Sequence, residues 1–368
     1  MEQAFKLHEG KEIGRVRNTD VRIVELSDRA NPEAVIRALK AHPAMQFSEM
    51  DVLLPPHATL NDPSLGTQWH IAKMGAPTAW DSATGSGIVI AILDTGVDGT
   101  HPDLAAHMVA GWNLYDNNAD ASDVNGHGTA VAGTAAAVGN IGTGVAGLAW
   151  NASIMPVRIS QLDGYAYFST IASGLTWAAD HGAKAVNISY GFSGSSTVQS
   201  AAQYFKDKSG VTVVSAGNSA VYDATAPSDT MISVAATNSS DTNPSWSTWS
   251  DFVDVSAPGE SIYTTNRYGG YGSWSGTSFS SPATAGTVAL MMAANPALDP
   301  ATLETLLKQS PVDLGAVGTD QHFGVGRVDA AAAVLAVASS GNLDTRAPSV
   351  SITNPQSGSA QFYRLRKP

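Results

Sequence analysis

Three residue types that can together activate a hydroxyl group follow one another along the chain, each set among glycines and small residues. Asp94 stands in Leu93-Asp94-Thr95-Gly96, His127 in Asn125-Gly126-His127-Gly128-Thr129, and Ser278 in Gly276-Thr277-Ser278-Phe279-Ser280-Ser281-Pro282. A serine hydroxyl is a poor nucleophile until a base takes its proton. Histidine titrates near neutrality and suits that task. A buried carboxylate can fix the imidazole tautomer and stabilise the imidazolium that forms. Asn218, in Ser215-Ala216-Gly217-Asn218-Ser219, carries an amide that can donate to a developing oxyanion alongside the Ser278 N–H. Singly, each of these four reads as an ordinary turn, cap or core residue. Their joint occurrence at element ends is what points to chemistry.

The elements that must hold them can be read from the pattern. The run 87–93 is continuously apolar, as in a strand buried on both faces of a parallel sheet, and Asp94 follows at its carboxyl end, where α/β folds place their sites. His127 opens a helix of small residues extending to Val138. Strands are predicted at 152–157, 185–189, 211–215 and 231–236, and helices at 168–181, 197–208, from 299 on, and 328–338. Thr277 or Ser278 begins a buried helix, with Pro282 tolerated near its start. Alternating strands and helices predict an α/β fold: a mostly parallel sheet flanked by helices on both faces.

Before this region lies a different kind of sequence. Between about residues 10 and 54 charge is dense and glycine scarce. A strand at 21–26, a helix at 31–40 with Asn31 as cap and Pro32 in its first turn, and a strand at 47–54 make a small α+β module. Pro55-Pro56-His57-Ala58-Thr59 reads as a linker. The expected division is 1–59, 60–338 and 339–368. In the last part, 348–355 resembles the first strand of a β-sandwich module, a truncated start because one strand cannot bury a core. Residues 361–368 read as a tail foreign to the fold.

The 368 residues carry a formal net charge of −12, with 14% charged residues and no cysteine. Thiolate metal sites, disulfides and cysteine nucleophiles are thereby excluded. No basic stripe suggests nucleic acid, and no apolar run approaches membrane-spanning length. The opening residues lack a signal-peptide core. Either the protein stays inside the cell or the sequence starts after its signal; the second is expected.

In these motifs the chain resembles subtilisin-type serine proteases, the subtilase family, over roughly residues 60–338. Asp94-Thr95-Gly96, His127-Gly128-Thr129 and the stretch 276–282 match its three active-site motifs in order, and 215–218 matches its oxyanion stretch. The resemblance implies a secreted serine endopeptidase of broad specificity, acting on proteins and peptides through an acyl-enzyme, and monomeric. It implies that Ser189-Tyr190-Gly191 and the segment Gly164, Tyr165 and Ala166 pair with an extended substrate. An apolar or aromatic P1 side chain would sit between 189–191 and Ser215-Ala216-Gly217, with Thr225 at the base and Phe168 in an apolar S4 pocket. The module at 10–54 resembles the later part of the family's inhibitory propeptide, an intramolecular inhibitor. The resemblance also implies structural Ca²⁺. Asp62 and Asp103 match acidic ligands, the carbonyls of Val138, Thr143 and Val145 a ligand loop, and the side-chain ligand falls at Asn140 or Ile141 according to alignment. A second, weaker site would use Asp116, Asn118 and Asp120, which otherwise read as a solvated acidic loop. Ala130, Phe192 and Ala283 depart from the family pattern without removing a catalytic group. An esterase with the same triad is a rival reading, but the second glycine of its Gly-x-Ser-x-Gly elbow is Ser280. An inactive binding protein on this fold is another, opposed by the complete triad and Asn218.

Overall fold

The structure, a computed structural model, describes residues 11–19, 21–27, 30–41, 47–51, 60–191, 194–341, 349–354 and 361–366. The chain divides into two compact units, one of Met1–Pro56 with Asn342–Pro368, the other His57–Gly341.

In the smaller unit, β1 (Lys11–Arg15) and β2 (Val21–Glu25) pair antiparallel. Helix α1 (Pro32–Lys40) follows, its Asn31 cap accepting the Ala34 N–H at 3.0 Å, and then β3 (Ser48–Asp51). Val24, Leu26, Val35 and Leu39 form its small core. The strand foreseen near 348–355 is present as Ser349–Asn354, but it does not stand alone. It pairs antiparallel with β2 and with β3, and Gln361–Arg366 joins the same sheet. Unpaired strand edges are templates for further strands, so the chain's end finds its backbone partners in the first module's sheet. The predicted linker at 55–59 lies outside the described residues.

The larger unit is organised by β4 (Val89–Asp94). Two short helices, α2 (Trp69–Lys73) and α3 (Ala76–Trp80), precede it. After it come β5 (Trp112–Asn113), α4 (His127–Ala136), β6 (Ser153–Arg158), α5 (Phe168–Asp180), β7 (Ala185–Ile188), α6 (Ser196–Asp207), β8 (Val211–Ser215), β9 (Ile232–Thr237) and β10 (Val255–Pro258). The strands form one seven-stranded sheet in the order β10-β9-β8-β7-β4-β6-β5, every pairing parallel. Side chains alternate across β4. Ile90 and Ile92 enter a core shared with α4 and the long helix α7 (Thr277–Ala294), while Ala91 and Leu93 pack with α5 and α6 on the other face. The α/β fold with helices on both faces is as the sequence reads.

Helix α7 is buried from Thr277 through Met292, which explains why its residues are small or apolar all round. Before it runs an antiparallel hairpin of β11 (Ile262–Asn266) and β12 (Gly270–Trp274), which the sequence analysis did not foresee. Helices α8 (Pro300–Gln309) and α9 (Ala330–Gly341) complete the unit.

Candidate active site

Asp94 is fully buried at the carboxyl end of β4. Its Oδ1 accepts the Thr95 N–H and meets His127 Nδ1, each at 2.8 Å. His127 is the first residue of α4, and the close approach of that helix to the β4 turn requires Gly128. A Cβ there would collide with the Gly96 carbonyl and stand 3.1 Å from the Asp94 Cβ. Burial disfavours the imidazolium, but the charge and hydrogen bond of Asp94, with a contribution from Asp123, outweigh it and leave the imidazole pKa raised. Two uncharged rings flank the imidazole: Trp274 with its centroid 6.3 Å away and Phe279 at 5.8 Å.

Ser278 lies in the first turn of α7, where unpaired N–H groups and the helix dipole favour negative charge. The helix begins at Thr277, as expected, with Gly276 as its cap residue. Its φ of 151° is a conformation that favours glycine. The space its missing side chain leaves is informative. A Cβ on Gly276 would come 3.3 Å from Asn218 Nδ2 and 3.6 Å from the Ser278 N, so two N–H donors border one small volume beside the serine. Asn218 is aimed by its other end, since Oδ1 accepts both the N–H and the hydroxyl of Thr277 at 2.9 Å.

The Ser278 hydroxyl donates to the Ser189 carbonyl at 3.3 Å, and among the described residues no hydrogen bond joins it to His127. A buried polar chain steadies this turn. Ser281 donates to Asn187 Oδ1 at 2.6 Å, the Asn187 amide to Ser189 Oγ at 2.8 Å, and Ser189 Oγ to the Ser278 carbonyl at 2.9 Å.

The segments expected to hold substrate converge here. Strands β7 and β8 pair in register Ile188↔Val214, which sets Ser189-Tyr190-Gly191 beside Ser215-Ala216-Gly217. A Cβ on Gly191 would lie 3.8 Å from the Gly217 Cα. The Tyr190 hydroxyl donates to the Gly164 carbonyl at 2.8 Å, tying this edge to the 164–166 segment. Phe168, Ile171, Ile188, Tyr190, Gly191 and Val214 line a small apolar pocket. Tyr165 stands exposed, and Ala166 bridges to Ser160. The Thr225 methyl group lies 3.0 Å from where a Gly194 Cβ would stand. Phe192 lies outside the described residues.

Asp62 and Asp103 face one loop. Asp62 accepts the N–H groups of Asn140 at 2.6 Å and Ile141 at 3.1 Å, and Asp103 Oδ2 that of Val145 at 2.8 Å. Asp103 Oδ1 is buried without a partner, and among the described residues no hydrogen bond ends on the carbonyls of Val138, Thr143 or Val145. Burial, reinforced by the charge of Asp62, raises the Asp103 pKa despite the Val145 N–H. The set Asp116, Asn118 and Asp120 differs. Asp116 is paired with Arg158 at 3.1 Å, while Asn118 and Asp120 accept the N–H groups of Asp120 and Ser122. Among the described residues no group of three or more His, Asp or Glu side chains is gathered as if for a metal ion.

The subtilase family model matches residues 85–326. Thermitase of Thermoactinomyces vulgaris is 41% identical over 283 residues, covering 75% of this chain and 99% of that protein. An extracellular protease of Xanthomonas campestris is 37% identical over 371 aligned positions, covering 86% of this chain, which spans 63% of that protein. The solved structure of a protease from Pseudoalteromonas arctica superimposes with a TM-score of 0.71 at 34% identity, covering 76% of this chain and all of that one. The chain belongs to the subtilase family, which makes it a hydrolase of the serine peptidase type acting on protein or peptide substrates.

Proposed function

We propose that the protein is a secreted serine endopeptidase with Ser278 as nucleophile, His127 as general base and acid, and Asp94 orienting the imidazole. The observation that carries this reading is the pairing of His127 with the buried Asp94, together with two N–H donors beside Ser278, those of Asn218 Nδ2 and Ser278 itself. Rotation about its Cα–Cβ bond turns the Ser278 hydroxyl from the Ser189 carbonyl to His127 Nε2. Catalytic hydrogen bonds are often long or misaligned before substrate binds. His127 then takes the hydroxyl proton as Oγ attacks the scissile carbonyl. The oxyanion is held by the two donors, and His127 returns the proton to the leaving amine. Water repeats the sequence on the acyl-enzyme.

The uncharged walls at 189–191 and 215–217 support an apolar or aromatic P1 preference, and the pocket at Phe168 an apolar residue further upstream. Extracellular action is supported by the Xanthomonas relative, an extracellular protease. One Ca²⁺ at Asp62, Asp103 and the carbonyls of Val138, Thr143 and Val145 fits the orphaned Asp103 Oδ1 and an all-oxygen donor set. It would cancel the repulsion between the two carboxylates and serve stability. No ion is proposed at Asp116, which already has a cation in Arg158. Turnover of casein and of a small ester by the purified protein tests the reading. Endoproteolytic fragments from casein are expected, and ester cleavage with casein left whole would overturn it.

A further inference from the structure

The carboxylate of Asp123 has no assigned part in the reaction, yet it is 6% exposed and joins the two segments that carry Asp94 and His127. Its Oδ1 accepts the Thr95 hydroxyl at 2.8 Å and the N–H groups of Asn125 and Gly126 at 2.9 and 2.8 Å. Its Oδ2 accepts the Thr129 N–H at 2.9 Å and the Thr129 hydroxyl. All five are donors, so only an acceptor at both oxygens satisfies them; an amide NH₂ in place of one oxygen would face a donor. Asp123 also supplies what α4 lacks, because its cap residue Gly126 has no side chain to satisfy the free N–H groups of the first turn. The Thr95 hydroxyl that donates to Asp123 accepts the Gly128 N–H at 2.9 Å, and the Thr95 N–H holds Asp94 Oδ1. Both ends of the Asp94–His127 hydrogen bond are therefore fixed to one buried anion.

We propose that Asp123 is a positioning residue of the catalytic base: through Thr95 and the first turn of α4 it sets the Asp94–His127 geometry, and it places a second fixed negative charge behind the imidazole. The inference rests on the triad reading above. The other charged groups about the first turn of α4 are Asp94 at the end of β4, Asp98, whose N–H donates to the Thr129 hydroxyl, and Arg267. The Asp98 carboxylate is engaged by Thr100 and the Tyr268 N–H, and the Arg267 stem lies against Gly126. Trp274 and Phe279 add no charge. Burial pushes the imidazole pKa down, and the charges of Asp94 and Asp123 push it up.

The test is the pH profile of kcat and KM on a peptide substrate for wild type, Asp123→Asn, Thr95→Val, Thr95→Ser and Ser278→Ala. For Asp123→Asn, kcat should fall on the order of ten- to a hundredfold, with KM within about threefold because the groups lost face the base and not the substrate strands. Its acid limb should move to lower pH, since a charge favouring imidazolium is gone. Thr95→Val keeps the charge, so it should lose kcat with the limb in place, and Thr95→Ser should recover near-wild-type kcat. A loss of thermal stability with kcat and limb unchanged would make Asp123 merely structural and overturn the proposal. Should Asp123→Asn fail to fold, unchanged kcat in Thr95→Val would overturn it equally. Turnover by Ser278→Ala would instead bring down the triad reading itself.

Discussion

At His127 burial and charge oppose each other, and the charges prevail. The base must be neutral to accept the serine proton, so activity should rise with pH through a limb above the ordinary histidine value near 6.5. A kcat/KM profile checks this; a limb below that value would show that desolvation wins. Asn218→Ala removes one of the two donors beside Ser278 and should cost on the order of 10²–10³ in kcat, measured on the same substrate. The Phe279 ring packs against both His127 and Trp274. Phe279→Met should make activity sensitive to brief peroxide treatment, because a thioether beside the reacting centre becomes a polar sulfoxide. Wild type should resist, as Met291 is fully buried and Met292 nearly so. Equal loss in both would locate the sensitive residue elsewhere. At this scale the sequence named the candidate triad and Asn218 because their types and flanking glycines are chemically particular. Asp123 escaped notice for the opposite reason. It is one of several acids between 116 and 123, and which of them folds back under the helix depends on the path of the β4 turn. An acid four residues before a helix-opening histidine was the available signal.

Among the elements, β4 and α4 matter most, since their contact creates the Asp94–His127 couple. Gly128→Ala should strain that contact against the Gly96 carbonyl, costing about 1–3 kcal/mol and lowering kcat together with the melting temperature. Gly66→Ala is the matched control, because nothing lies within 4 Å of its added methyl. Equal behaviour of the two variants would mean the close approach is not a constraint. Five of the seven strands, β4 and β6 through β9, and the helices beside them were legible from unbroken apolar runs and small-residue helices, with ends displaced by one to three residues, as at α4, expected to Val138 and ending at Ala136, whereas the short edge strands β5 and β10 were not. The hairpin β11–β12 was not legible. Its residues Arg267-Tyr268-Gly269-Gly270-Tyr271-Gly272 lack the alternation of a half-buried strand, and the pairing rests on contacts with α4, where Thr264 and Thr265 donate to the Ala130 and Thr129 carbonyls.

For the whole molecule, the boundary between the two units falls at Pro56 and His57, inside the stretch read from sequence as a linker. Incubated wild type should shorten there by its own activity, and Ser278→Ala should stay whole; equal shortening would implicate an outside protease. Chelator should lower the melting temperature by about 2–4 °C for each kcal/mol of Ca²⁺ binding removed, with Asp103→Asn abolishing the response. An unchanged melting temperature would count against the ion. The joining of 349–354 and 361–366 to the sheet of β2 and β3 was hidden from sequence reading because strand partners distant in the chain leave no local pattern. The central claim concerns one hydroxyl, and the most direct measurement is mass-spectrometric mapping after treatment with a serine-directed phosphonylating reagent. The account predicts one adduct, on Ser278, formed in proportion to the loss of casein hydrolysis, and none on the Ser278→Ala protein. Complete inactivation with Ser278 unmodified would contradict it.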